Sequence, residues 1–101
     1  MRKIIEDKLE ELKRLCEKYD VETMYIYGSA CTDNFNEDSD IDIIISFKEL
    51  TVEEYTDNYF SLHSQLEKLF QRKIDLITER SITNPYFIES IEKTKQLIYA
   101  A

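Results

Sequence analysis

Residues 21–47, VETMYIYGSACTDNFNEDSDIDIIISF, carry the pattern from which the fold is read. Val21–Tyr27 is rich in β-branched and aromatic side chains and stops at Gly28-Ser29, which predicts a strand running into a tight turn. Residues 30–39 are polar, a loop or a short helical turn, and residues 40–47 (DIDIIISF) predict a second, strongly apolar strand. Successive side chains of a strand face opposite ways. Asp40 and Asp42 therefore share one face, while Ile41, Ile43, Ile45 and Phe47 take the other, buried one.

Outward from this stretch the periods change. Upstream, Ile5, Leu9, Leu12, Cys16 and Tyr19 recur at spacings of four and three, one face of a helix, with Glu6, Glu10, Lys13 and Glu17 on the wet side. Downstream, Thr51 and Glu54 have the form of a capping box. The helix they open carries Val52, Tyr55, Tyr59, Leu62, Leu66 and Leu69 on one face. KIDLIT, residues 73–78, predicts a third strand. Asn84-Pro85 starts a last helix through Phe87, Ile88 and Ile91, and QLIY (96–99) closes as a short extended piece. The order is α-β-β-α-β-α, a small α/β layer domain spanning residues 1–101.

Composition narrows the function. The chain is 43% hydrophobic and 34% charged, and no apolar run approaches the roughly 20 residues of a membrane helix. The charged N-terminus does not read as a signal peptide, so no membrane partner is expected and the location expected is cytoplasmic. Cys16 and Cys31 form neither a metal-ligand spacing nor a disulfide framework and read as reduced thiols. A net charge of −8 argues against unaided binding of nucleic acid, since phosphate affinity comes mainly from Lys and Arg. It leaves open phosphate chemistry through metal ions, and docking to a basic partner.

The acids are where chemistry is expected. Two carboxylates on one face at the start of an apolar strand repel one another unless a cation sits between them. Asp75, flanked by Ile74 and Leu76, is a third acid in an apolar strand; beside residues 40–47 it completes a cluster. Oxygen-only ligation suits hard cations, chiefly Mg²⁺ with Mn²⁺ the alternative, and a two-metal site acting on phosphates uses such a set. A plainer reading stands beside it. Ser39-Asp40 is also a turn-to-strand start satisfying backbone donors, and Asp75 is also placed to pair with Lys73 or Arg72 at the surface. Gly28 is the chain's one glycine, and a Gly-Ser turn after a strand exposes groups that hold phosphate oxygens.

Gly28-Ser29, ten residues, Asp40-Ile41-Asp42 and then Asp75 in KIDLI, followed by NPYF and a terminal LIY, is a specific combination. It resembles the minimal nucleotidyltransferase family of the DNA polymerase β-like superfamily over roughly residues 20–99. The resemblance implies a mixed sheet flanked by helices and Mg²⁺-dependent transfer of AMP from ATP, with two ions. It implies that Gly28 and Ser29 hold the triphosphate and that Asp40, Asp42 and Asp75 are metal-binding and catalytic, Asp75 helping to activate the attacking hydroxyl. Family members often carry Arg directly after Gly-Ser and an Arg-Gly pair soon after; here those positions are Ala30 and Thr32-Asp33, which lowers the affinity expected for the triphosphate.

Stand-alone members of this size resemble the antitoxin halves of toxin–antitoxin pairs whose partner is an all-helical HEPN ribonuclease. The acceptor implied is then a tyrosine hydroxyl of that toxin, in a hetero-oligomer with it. Two alternatives stay open: a weak or inactive antitoxin acting by contact alone, and an enzyme modifying a small molecule. His63 reads as a surface or packing residue, and Tyr55, Tyr59 and Phe60 as core or partner-facing. Tyr25 belongs to its strand, Tyr27 adjoins the site, and Arg72 and Lys73 read as surface cations.

Overall fold

The structure, a computed structural model, describes residues 2–32 and 35–101. A short helix α1 (Lys3–Glu6) and helix α2 (Leu9–Lys18) lead into β1 (Val21–Tyr27), a 3₁₀ turn (Gly28–Cys31) and β2 (Ile41–Phe47). Helix α3 (Val52–Phe70), β3 (Ile74–Thr78), a second 3₁₀ turn (Glu79–Ser81), α4 (Pro85–Thr94) and β4 (Gln96–Ala100) complete the order. The mixed sheet runs β3-β2-β1-β4. β1 is antiparallel to both neighbours, and β2 and β3 are parallel, joined by α3 as the crossover that a parallel pair requires.

The two faces of the sheet are covered unequally. Met24, Ile26, Ile41, Ile43, Ile45, Ile74 and Leu76 point to one side, where they are buried with Leu12 and Cys16 of α2 and Leu62, Leu66 and Phe70 of α3. On the other side Tyr27, Ile44 and Ile91 of α4 form a smaller cluster, with Tyr25, Ile77 and Ile82 against it. The alternation expected for residues 41–47 is thus present, with Ile44 buried on the lesser face.

Local signals set several boundaries. The Thr51 side chain accepts from Glu54 N–H while Glu54 accepts from Thr51 N–H, the reciprocal capping box. The Asn84 side chain accepts from Tyr86 and Phe87 N–H ahead of Pro85 at the first helical position. Two positions differ from the periodic expectation. The N-terminal helix breaks at Asp7-Lys8, so Leu9 falls out of phase with Ile5 and Leu12 and is exposed. Val52 is 83% exposed because α3 meets the sheet only from Tyr55 on, whose ring packs edge-to-face on Phe47 at 4.9 Å. The extended piece at the C-terminus is a full strand, β4, antiparallel to β1.

The outer edge of β3 is closed by α3. Tyr59 Oη donates to the Leu76 carbonyl, His63 Nε2 lies 2.8 Å from the Ile74 carbonyl, and Ile74 N–H donates to Glu67 Oε2 at 3.1 Å. Backbone groups of an edge strand need partners, and here a helix supplies them. Tyr59 and His63 are therefore packing and edge-sealing residues.

Candidate active site

The sheet register brings Asp42 and Asp75, two of the expected residues, into one row with Tyr27. Tyr27 lies opposite Asp42 across β1 and β2, and Asp42 is level with Asp75 across β2 and β3. All three sit on the face covered by α4. Asp42 is half-buried, Asp75 is exposed, and Asp40, at the entry to β2, is half-buried. Burial first, then the like charges of Asp75 and Asp40, push the Asp42 carboxyl up to about 6. Burial and the fields of Asp42 and Asp75 also hold the Tyr27 phenol protonated well above its usual range.

Gly28 ends β1 beside this row. Its φ is +68°, in the left-handed region. Asp20 and Gln71 also have positive φ, at 59° and 52°, so the backbone angle alone does not demand glycine in this chain. What sets position 28 apart is space: a Cβ there would stand 2.6 Å from Asp42 Oδ2. Gly28 N–H donates to Thr94 Oγ1 at 3.1 Å. This donor, one of those expected to face phosphate, is thus bonded to α4, while the Ser29 hydroxyl has no protein partner among the described residues. Ala30 is 1% exposed and fills core. Thr32 folds back on the Ser29 carbonyl through both N–H and Oγ1. Asp33 lies outside the described residues.

The plainer reading of the acids is met in part. Ser39 Oγ accepts from Asn36 N–H at 3.1 Å, the turn role expected of it. Arg72 Nη1 donates to the Asn36 and Ser39 carbonyls at 3.2 and 2.9 Å, and its guanidinium lies over the Phe35 ring at 4.7 Å. Arg72 thus fastens the loop before β2, and among the described residues neither it nor Lys73 forms an ion pair with Asp75. Thr94 and Phe87, which join the row through Gly28 and Tyr27, had no local sequence signal, because both contacts are made across the fold.

Among the described residues no three His, Cys, Asp or Glu side chains stand together as a finished metal cage. The donor set nevertheless suits a hard cation: three carboxylates near one end of the sheet, one of them raised by its burial first and then by the charge of the other two. A cavity of about 140 Å³ further along the same face, among Tyr25, Ile44, Ile82, Ile88 and Ile91, includes none of these acids.

The raised carboxyl makes a stability prediction. A group whose folded pKa exceeds its unfolded value favours the fold below the unfolded pKa, near 3.8, and loses that contribution as pH rises through about 6. Asp42→Asn removes this loss. In the presence of a chelator the variant should melt above the parent at pH 7.5 and level with it at pH 3.5. A half-buried, solvent-screened carboxylate makes the gap about 1–2 kcal/mol, several degrees in Tm. Mg²⁺ at pH 7.5 should raise the Tm of the parent and leave the variant unmoved. A parent whose Tm does not fall between pH 4 and 7 relative to the variant contradicts this electrostatic account.

Comparison with known proteins identifies the family and the fold. Residues 10–101 match the family model described as polymerase beta, nucleotidyltransferase. A Methanocaldococcus jannaschii protein provisionally named as a protein adenylyltransferase is 41% identical over 87 residues, 86% of this chain and 84% of that one. A second from the same organism, under the same provisional name, is 38% identical over 96 residues, 94% and 93% of the two chains. Among solved structures, a minimal nucleotidyltransferase, so named provisionally, superposes with TM-score 0.67 at 22% identity, covering 91% and 90% of the chains. An MNT antitoxin complex with tri-AMPylated Shewanella oneidensis HEPN toxin superposes with TM-score 0.66 at 15% identity, covering 96% and 73%. No described helix is long and apolar enough to cross a membrane.

Proposed function

Since the chain belongs to the polymerase β nucleotidyltransferase family, we propose that it is a protein adenylyltransferase moving AMP from ATP to a tyrosine hydroxyl of a HEPN-type partner. The observation that carries this reading is the row itself: Asp42 and Asp75 in register on neighbouring parallel strands, with Gly28 packed against Asp42. The provisional naming of the M. jannaschii relatives supports the reaction class, and the fold of the AMPylated toxin complex supports the partner class.

Each residue has a part. Gly28 leaves room at the end of β1 for the Asp42 carboxylate that faces the phosphate chain, and the Ser29 hydroxyl is available to a phosphate oxygen. Asp40, Asp42 and Asp75 hold two divalent cations, Mg²⁺ with Mn²⁺ as alternative, which when bound neutralise the triphosphate and polarise the acceptor hydroxyl. Asp75, the exposed member, faces the incoming acceptor and takes its proton. The hydroxyl oxygen bonds to the α-phosphorus, the bond from that phosphorus to the bridging oxygen breaks, and pyrophosphate leaves. Such chemistry is mostly positioning and charge stabilisation. A cytoplasmic location, where thiols such as Cys16 and Cys31 stay reduced and ATP is at hand, fits this reading.

The test uses ATP labelled on the α-phosphate, Mg²⁺ and a HEPN-type partner protein. Label should appear on the partner and disappear with Asp40→Ala and Asp42→Ala together. Absence of label, with a complex that survives both substitutions, would favour the second reading, an antitoxin acting by contact. That reading is supported by buried Ala30, which brings no cation to the triphosphate end.

A further inference from the structure

We infer that Phe87, with Tyr86 beside it, is the stacking surface for the nucleobase of the triphosphate. This deepens the reading above, since it rests on the chain binding a nucleotide.

The Asn84 cap fixes the first turn of α4 and with it the directions of Tyr86 and Phe87. One turn later Ile91 is buried against the sheet, yet Phe87 on the same stripe is 40% exposed and Tyr86 is 80% exposed. Two neighbouring aromatic rings left open on a small acidic protein do not serve its core. The Phe87 ring does touch one group: it meets Tyr27 edge-to-face, centroids 6.0 Å apart and planes at 75°. Tyr27 is 6% exposed and lies opposite Asp42. A chain of neighbours thus joins Asp75, Asp42, Tyr27 and Phe87, from three strands to the helix.

The two ends of that chain of neighbours differ in chemistry. At Asp75 the row is open and anionic, suited to the acceptor hydroxyl and the phosphate being transferred. At Phe87 it is apolar and aromatic. A nucleotide whose transferred phosphate lies at the acids carries its base one ribose from that phosphate, and the aromatic ring joined to the acids through Tyr27 receives it. Phe60 is the other large exposed ring among the described residues, and it lies on α3, which covers the opposite face. Stacking on a ring needs only the π face that every base has. The surface therefore binds nucleoside triphosphates with little discrimination between bases.

Titration calorimetry on the chain alone separates base from phosphate. Mg-ATP and Mg-tripolyphosphate are titrated into the parent, Phe87→Ala and Phe87→Trp. Phe87→Ala should weaken Mg-ATP on the order of tenfold and leave Mg-tripolyphosphate unchanged; Phe87→Trp should retain both. Unchanged binding of Mg-ATP by Phe87→Ala overturns the inference, and so does equal weakening of the two ligands, which would assign Phe87 to packing. Loss of partner binding with Mg-ATP unaffected also overturns it, in favour of a protein-docking surface. If the parent bound tripolyphosphate and ATP equally well, the base site would fall while the transfer reading stood. If it bound neither, both would fall.

Discussion

Asp75→Asn should reduce AMP transfer roughly a thousandfold or more, the loss expected when a charged group serving a phosphoryl transition state is removed. The substitution keeps shape and takes away charge. Asp75 is exposed, between buried Ile74 and Leu76, so the core beneath it is untouched. Its side chain has no ion pair among the described residues, and its removal relieves Asp42 of the like charge that acts on it more strongly. Stability should therefore change by no more than about 0.5 kcal/mol. A steady melting temperature beside a collapsed rate, followed by label transfer, is the expected pair of results. A variant that keeps more than a tenth of the parent's rate would remove Asp75 from the chemistry.

Gly28→Ala should be nearly as damaging for a different reason. An alanine at φ +68° is strained by about 1 kcal/mol, which the fold survives, as it does at Asp20 and Gln71. The larger effect is local. The new methyl would lie 2.6 Å from Asp42 Oδ2, and the carboxylate, at the end of a short side chain, must turn away. The expected outcome is a drop in Tm of several degrees with transfer lowered about a hundredfold by the misplaced carboxylate. Circular dichroism should show the secondary structure retained. Transfer within a factor of three of the parent would mean that the orientation of Asp42 does not govern the reaction.

Much of this was legible because its causes are local. The limits of β1, the capping box at Thr51 and the start of α4 at Asn84-Pro85 each follow from a few adjacent residues. The grouping expected of Asp40, Asp42 and Asp75 rests on a period of two in one strand and on the adjacency of another, and the parallel register sets Asp42 level with Asp75. Other features are decided by what lies opposite. Leu9 and Val52 fit a helical stripe, but the break at Asp7-Lys8 shifts one and the first turn of α3 leaves the other uncovered. β4 is a strand because β1 offers it a free edge. The hold of Thr94 on Gly28 spans 66 residues, and no short pattern announces it.

The three bonds from α3 to the far side of β3 do more than close an edge. Tyr59, His63 and Glu67 recur every four residues along one side of a rigid rod, and each or its neighbour grips the backbone at Ile74 or Leu76. A strand that slid by one residue would turn Asp75 into the core and Leu76 out to solvent, and these grips would no longer match. The helix thus serves as a ruler laid along the strand. The level at which the third carboxylate stands is measured from behind the sheet, by groups that never meet the substrate.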